Sequence, residues 1–292
     1  MKRFTLCSLI DFGWCGSFQA IQADLIEQLS DTFTTIQVPG RTFTNIYGIN
    51  NAGQLVGTYT DSAGTHYGFL DTNRAFTTLP FTPTGINNVG QIVGLSDNGL
   101  VLDTNGVINE IVLTALPRFD GLPHSISDRS PKINDLGQIV GNYSDQYFGA
   151  HSFIYSNGTF TLLPAADPNQ EFVSAHGINN CGQVLLEIGE FVGFSDYLYL
   201  NGQYTHVLNY LECTFAAGTA LNNVGQVLGT NGPSTYVDTN GVVGNFSFYR
   251  DLGISVEASD INDLGQIVVG NFLATREPCS LLLFAGGQHC VT

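Results

Sequence analysis

The side chains best suited to ligand chemistry lie together in one connecting segment, residues 116–131. They are Arg118, Phe119, Asp120, His124 and Arg129. Polar groups beside an aromatic ring suit the binding of a carbohydrate or a peptide, and loops on a rigid scaffold are where binding residues concentrate. An ordinary solvated loop is the competing interpretation. We predict a ligand site formed by these five side chains together with His176.

Sequence patterns typical of catalysis and metal binding are missing. The chain contains no Gly-x-Ser-x-Gly and no His-Glu-x-x-His, and its six histidines are dispersed. The Asp-containing turns at residues 71–73, 97–99, 103–106 and 238–241 do not follow the EF-hand loop and are typical of hairpin turns. Glu187 and Glu190 would act as a glycosidase pair only if a cleft held them roughly 5–10 Å apart. We therefore assign no catalytic residue, metal ligand or cofactor.

The composition excludes whole classes of partner. The 292 residues carry a formal net charge of −16, with only nine Lys and Arg. A nucleic-acid binder needs a basic surface to neutralise phosphates, so nucleic acid is excluded as a partner. No apolar run in the body of the sequence approaches the roughly 20 residues of a transmembrane helix. Charged residues make up only 12%, and Gly, Thr, Asn and Phe are frequent, which favours short strands joined by tight turns.

The first residues resemble an export signal. Lys2 and Arg3 make a basic start, residues 4–18 are mostly apolar, and Ala20 and Ala23 are small residues suited to cleavage. We expect residues 1–23 to be a signal peptide and residues 24–292 to be one domain, secreted or periplasmic and monomeric.

Four cysteines follow the expected signal: Cys181, Cys213, Cys279 and Cys290. An even number in an exported chain permits two disulfides. Cys279 and Cys290 flank one apparent hairpin and are the favoured pair, although the sequence leaves the pairing open. The spacing contains no Cys-x-x-Cys, so a zinc site is not predicted.

A ten-residue unit organises the chain. Gly-Ile-Asn-Asn-Ala-Gly-Gln-Leu-Val-Gly occupies residues 48–57 and recurs five times, with the central glycines at 53, 90, 137, 182, 225 and 265. Asn followed three residues later by Gly predicts a type I turn with a left-handed glycine, so each copy is a β-hairpin. Its Asn is expected to cap the turn, and its Gln to bond the backbone of a neighbouring repeat. The alternative function for these amides is a ring that binds sugar in a channel.

Each repeat contains a second hairpin. The pairs Asn105-Gly106, Asn157-Gly158, Asn201-Gly202 and Asn240-Gly241 predict type I′ turns, because both central residues need a positive φ. Two hairpins in about 40 residues make the four strands of a β-propeller blade. We predict an all-β, six-bladed β-propeller of four-stranded antiparallel blades, rather than an open solenoid or two sandwiches. Residues 33–38 are expected to close the ring as the outer strand of blade six, beside residues 289–292.

The repeat also resembles a family. The unit, followed by His-x-Phe and then Phe-Thr-Thr, is similar to the bacterial extracellular repeats called HAF repeats, after a His-Ala-Phe element. Here that element is His151-Ser152-Phe153 and, more loosely, residues 66–69. The resemblance covers roughly residues 33–292. It implies a propeller-like fold and a secreted or cell-surface location, and it implies no reaction.

These observations favour a secreted, non-enzymatic binding module whose ligand is a glycan or a protein. The alternative is a propeller hydrolase or lyase that acts on extracellular polysaccharide, and a purely structural surface protein is the third possibility. In a propeller, the connections between blades and those between the second and third strands share one face, where binding sites collect. We therefore expect the site on that face.

Overall fold

The computed structural model describes residues 31–116, 126–127, 131–144, 150–164, 172–190, 193–207, 216–231, 234–239, 242–246 and 257–276. Within these ranges the chain forms 24 β-strands and one 3-10 turn, Leu113–Ala115. The strands make six four-stranded antiparallel sheets, here called blades 1 to 6.

The blades follow one another along the chain, and the strands of each blade are called A to D from the axis outward. Blade 1 contains β2 (Phe43–Ile49), β3 (Leu55–Thr60), β4 (His66–Thr72) and β5 (Ala75–Leu79). Blade 2 contains β6 (Thr82–Ile86), β7 (Gln91–Ser96), β8 (Gly99–Thr104) and β9 (Val107–Glu110). Blade 3 contains β10 (Lys132–Ile133), β11 (Ile139–Ser144), β12 (Ala150–Ser156) and β13 (Thr159–Leu162). Blade 4 contains β14 (Val173–Ile178), β15 (Val184–Glu190), β16 (Gly193–Leu200) and β17 (Gln203–His206). Blade 5 contains β18 (Ala216–Leu221), β19 (Gln226–Asn231), β20 (Ser234–Thr239) and β21 (Val242–Phe246). Blade 6 contains β22 (Ala258–Ile261), β23 (Ile267–Val269), β24 (Phe272–Arg276) and β1 (Asp31–Thr35).

The blades form a closed ring. Each A strand contacts the A strand of the next blade, so β2, β6, β10, β14, β18 and β22 surround a central axis, and β22 contacts β2. Apolar clusters fill each of the six interfaces between neighbouring blades in the described part of the chain. The fold is therefore the predicted six-bladed β-propeller, with its core between the blades.

The N-terminal strand completes the last blade, as predicted. β1 pairs antiparallel with β24, with Asp31 opposite Arg276 and Thr35 opposite Phe272. The strand ends earlier than the predicted residue 38, because the chain leaves blade 6 and crosses to blade 1 at Ile36. Ile36 and Val38 are then buried in the cluster between these two blades. Residues 289–292, the expected neighbours of this strand, lie outside the described residues.

The repeat unit forms the predicted A–B turn. In blade 1, the N–H of Gly53 donates to the carbonyl of Asn50 at 3.0 Å, and Gly53 has φ +72°. Oδ1 of Asn50 accepts the N–H groups of Ala52 and Gln54, at 3.1 and 3.0 Å. The side chain therefore caps the turn as predicted. The glycine is required because few other residues adopt a positive φ without strain.

The same asparagine, rather than the glutamine, bonds the neighbouring blade. Nδ2 of Asn50 donates to the carbonyl of Asn87 in blade 2 at 3.1 Å. Equivalent bonds join Asn87 to Asn134, Asn134 to Asn179, Asn222 to Asn262 and Asn262 to Asn50. The predicted role of the glutamine was wrong, because its Oε1 accepts a bond from the asparagine of its own turn and its Nε2 lies within reach of strand C, as in Gln54 to Thr72.

The C–D turns of blades 1 to 4 have the predicted type I′ geometry, whereas the predicted turn at Asn240-Gly241 lies outside the described residues. Both central residues have positive φ at 73–74, 105–106, 157–158 and 201–202. Oδ1 of Asp103 accepts the N–H of Gly106 at 2.7 Å, so this acidic residue serves its own turn. No helix in the described ranges is both long enough and apolar enough to cross a membrane.

Candidate functional site

The predicted site residues fall into two groups. Arg118, Phe119, Asp120, His124 and Arg129 lie outside the described residues, so their role as a ligand site stays a prediction. Within the same connection, Ile126 is buried and forms a β-bridge with Tyr143 of β11. Its packing ties the connection to blade 3, because Ile126 belongs to the cluster between blades 2 and 3.

His176 is described, and it lies at the central channel. It is a bulged residue of β14, and its Nε2 lies 3.1 Å from Oε2 of Glu187 on β15. The His176 and Glu187 side chains are 27% and 18% exposed, so solvent reaches both. Glu187 is the cross-strand partner of Asp196 on β16. A histidine and two carboxyl groups therefore meet in blade 4.

Asp196 cannot contact a ligand from solvent, because its residue is only 1% exposed. Its Oδ2 accepts the N–H of Gly218 in blade 5 at 2.8 Å, whereas its Oδ1 has no hydrogen-bond partner. Burial raises the pKa of Asp196 to about 6, against the opposing effects of His176 and the Gly218 N–H. The Asp196 carboxyl group joins blades 4 and 5. Because it is buried, Glu187 and Asp196 do not form the accessible pair of carboxylates that a glycosidase needs.

We expect Asp196 to make stability depend on pH. Its folded-state pKa lies above its unfolded value of 3.8, so the stability that its protonation contributes is present at low pH and lost as pH rises through about 6. The free energy of unfolding should fall by about 1.4 kcal/mol between pH 5 and pH 8 from this group. Asp196→Asn should remove this decline in urea titrations, whereas Asp97→Asn, in an exposed turn, should keep it. Parallel pH profiles for the wild type and Asp196→Asn would contradict the assignment.

A second ring of side chains closes one end of the channel. The residue after each capping asparagine donates its backbone N–H to the side-chain oxygen of its counterpart in the next blade, at 2.7–2.9 Å. The members in ring order are Asn51, Asn88, Asp135, Asn180, Asn223 and Asp263. The six bonds form a complete circle at the A–B end of the propeller.

The two carboxylates of this ring come from opposite blades. Oδ2 of Asp135 accepts amide bonds from Asn88 and Asn180, at 3.0 and 2.8 Å. Oδ2 of Asp263 accepts amide bonds from Asn51 and Asn223, at 2.8 and 3.1 Å. The amides thus line the channel as the sugar-site hypothesis requires. Their groups bond one another, however, so the ring is a structural closure.

Inside this ring the channel is narrow, and the side chains of Lys132 and Asp260 lie in it. Its cavity of about 60 Å³ has room for a few water molecules. Nζ of Lys132 donates to the carbonyls of Tyr47 and Thr84, at 2.9 and 3.0 Å. The carboxylate of Asp260 accepts the N–H groups of Ile49 and Ile261, both at 3.0 Å.

Lys132 and Asp260 were not among the predicted site residues, although the sequence contains a signal for them. When the six copies are aligned, the position before the conserved Ile or Leu reads Gly48, Gly85, Lys132, Gly177, Ala220 and Asp260. Lys132 and Asp260 are charged, whereas the four other copies have Gly or Ala at this position, so these two copies depart from the repeat. The ring's own carboxylates, Asp135 and Asp263, were likewise visible only as Asn-to-Asp changes.

A larger groove lies at the rim of blade 2, with a volume of about 700 Å³. It is lined by Pro80, Phe81, Thr82, Leu95, Ser96, Asp97, Asn98, Val101, Ile108 and Glu110. These residues come from the connection between blades 1 and 2 and from the B–C turn and outer strands of blade 2. The groove therefore lies on the face predicted to carry the site, and the connection at residues 111–131 begins directly after Glu110.

The groove walls combine carboxylate, amide and apolar groups. Nδ2 of Asn98 donates to Oε1 of the exposed Glu110 at 2.7 Å. Ile108 is 41% exposed and presents apolar surface beside them. Two carboxylates, from Asp97 and Glu110, line the groove, and none of its described lining residues is a Lys or an Arg. The negative charge of the two carboxylates disfavours an anionic ligand there.

The closed ring of six four-stranded sheets defines the chain as a six-bladed β-propeller module, and comparison with solved structures agrees. A gluconolactonase-like protein shares 11% identity and a TM-score of 0.54, over 85% of this chain and 92% of that one. YCF48 from Cyanidioschyzon merolae (12%, TM-score 0.49, 85% and 99% covered) and the lectin of Aleuria aurantia (11%, 0.46, 81% and 89%) are further matches. At 11% identity, the gluconolactonase-like structure shows a likeness of fold alone.

No protein-family model and no curated protein matches the sequence. The resemblance to HAF repeats therefore stays a prediction.

Proposed function

We propose that the protein is an extracellular, non-enzymatic binding module that holds a neutral carbohydrate in the groove of blade 2. The observation that carries the proposal is the groove itself. Its volume of about 700 Å³ is within the range of ligand pockets, roughly 300–1,000 Å³. Carboxylate and amide groups suit sugar hydroxyls, and the exposed part of Ile108 suits the apolar face of a sugar ring.

The central channel is a poorer candidate. A sugar does not fit a cavity of about 60 Å³, and the side chains that line it bond one another or the backbone. Binding at the rim leaves this closed axis undisturbed. Asp196 is buried, so it is not available to a substrate as the carboxyl partner of Glu187 in a hydrolase. The pair of Glu187 with Glu190 stays a prediction, because the Glu190 side chain lies outside the described part of the structure.

Two further observations support an extracellular location. Cys181 is disulfide-bonded, with its partner outside the described residues, and disulfides persist in oxidising compartments. The N-terminal sequence and the resemblance to HAF repeats favour export as well. The pairing of Cys279 with Cys290 also falls outside the described residues and stays a prediction.

The groove predicts a specific binding result. Neutral polysaccharides such as galactomannan or xylan should bind, and polygalacturonate should not, when each is titrated by calorimetry. Asn98→Ala and Glu110→Ala should each weaken binding about fivefold, because each loses a hydrogen bond worth about 1 kcal/mol.

Asn109→Ala is the matched control, because Asn109 is exposed on the same strand but does not line the groove. Unchanged affinity in both groove variants would reject the groove. Binding of no neutral polysaccharide would reject the carbohydrate and direct the search to a protein partner. Release of new reducing ends would establish the hydrolase alternative.

A further inference from the structure

The channel contains backbone oxygens that the β-ladders leave over. In five blades strand A carries a β-bulge just before the repeat unit, and the bulged residues are Tyr47, Thr84, His176, Thr219 and Ser259. A bulged residue is left out of the ladder pairing, so its carbonyl needs another partner. Because the A strands surround the axis, such carbonyls become available around the channel.

One side chain satisfies three of these carbonyls. Nζ of Lys132 donates to the oxygens of Tyr47, Thr84 and Ser259, at 2.9, 3.0 and 3.5 Å. An ammonium group has three N–H donors, and here each has a backbone oxygen. The three acceptors belong to blades 1, 2 and 6, whereas Lys132 belongs to blade 3. A single cation therefore connects four of the six blades, including the two that meet at the ring closure.

The opposite blade supplies the balancing charge. Asp260 occupies the repeat position of Lys132 three blades away, and the four other blades have glycine or alanine there. Burial lowers the pKa of Lys132, and the Asp260 carboxylate opposes this shift. Burial likewise raises the pKa of Asp260, and Lys132 opposes that shift. The two side chains thus stabilise each other's charged forms inside the channel.

We propose that the bulge carbonyls form an axial cation site for an ammonium-type ion, that Lys132 is its resident cation, and that an occupied site holds the ring together. Without a cation, three carbonyl dipoles would converge with no donor other than the few water molecules that the cavity can hold. Unsatisfied buried polar groups destabilise a fold. This site is separate from the groove and does not depend on the proposed carbohydrate.

The test removes the resident cation and supplies a free one. Lys132→Gly introduces the residue that blades 1, 2 and 4 already have at this position, so the backbone accommodates it. We expect it to melt below the wild type. Ammonium chloride should raise its melting temperature saturably, by about 3–5 °C at ten times the dissociation constant. Tetramethylammonium chloride at equal ionic strength should not raise the melting temperature, because the tetramethylammonium ion is too large for the site.

Two controls separate cation binding from packing. Lys132→Met restores the volume of the side chain without its charge, so ammonium should not raise its melting temperature. The wild type should not respond either, because Lys132 already fills the site. Equal responses of Lys132→Gly to the two salts would overturn the proposal. If Lys132→Gly does not fold alone, refolding yields in the two salts decide the matter: recovery only with ammonium supports the site, and equal yields overturn it.

Discussion

Ile36→Asp is expected to destabilise the propeller by about 4 kcal/mol or more, whereas Gln37→Asp, one residue further on, should change its stability little. Ile36 is 2% exposed and Gln37 is exposed. The Ile36 side chain packs with Ile46 and Ile49 of blade 1, while its N–H donates to the carbonyl of Asn271 at 2.8 Å. An unpaired carboxylate at this junction is costly to bury and would open the ring where its ends meet.

Urea denaturation followed by circular dichroism measures both variants. They add the same charge at adjacent positions, so their difference isolates burial at the closure. Deleting residues 24–40 should have a larger effect and abolish the single cooperative transition. Equal urea midpoints for Ile36→Asp and Gln37→Asp would show that burial of Ile36 does not stabilise the closure, and a truncated protein that melts like the intact one would show that β1 is dispensable.

Asn134→Ala is expected to cost about 3–5 kcal/mol. Asn134 is 3% exposed, and its Oδ1 accepts the N–H groups of Leu136 and Gln138, at 3.1 and 2.9 Å. Its Nδ2 donates to the carbonyl of Asn179 in blade 4 at 2.9 Å. Alanine therefore leaves the N–H groups of Leu136 and Gln138 without their acceptor, and each buried unsatisfied group costs about 1–3 kcal/mol. It also removes the bond across the blade interface, although the Asn179 carbonyl keeps the N–H of Gly182 at 3.0 Å.

Chemical denaturation again measures this effect, and Asn109→Ala is the exposed control. Asn134→Asp gives a sharper comparison, because it keeps the two acceptor bonds but turns an oxygen towards the Asn179 carbonyl. We expect Asn134→Asp to be strongly destabilised as well. A cost below 1 kcal/mol for Asn134→Asp beside a large cost for Asn134→Ala would show that the turn, and not its bond to the next blade, is what the repeat preserves. A cost below 1 kcal/mol for both variants would contradict both roles.

Much of the architecture was predictable because it rests on local chemistry. The Asn-x-x-Gly turn and the Asn-Gly turn each depend on φ angles and bonds within a few residues, so six copies of the repeat predicted six A–B hairpins, and the Asn-Gly pairs predicted the C–D hairpins that follow them. Closure by the N-terminal strand followed from the shortness of the last repeat. The role of the repeated glutamine was mispredicted, because the choice between Asn50 and Gln54 as partner of the next blade depends on which amide reaches across the interface.

The site was less predictable, because its members come together only in three dimensions. The groove is lined by residues 80–82 and by residues between 95 and 110, which the folding of blade 2 brings together. Asp196 gives no signal in sequence, since its high pKa results from burial under blade 5. The segment at residues 116–131 could be identified from its composition, and its five predicted ligand residues remain to be tested by substitution.

By itself, the sequence determined the number of blades, their order and their turn types. Tertiary structure alone decided that Lys132 reaches the carbonyl of Ser259, 127 residues away, and that six asparagine and aspartate side chains form one closed circle. The physical reason is that turn geometry is a property of a few consecutive residues. Contacts across the axis form only when the sixth blade has closed on the first.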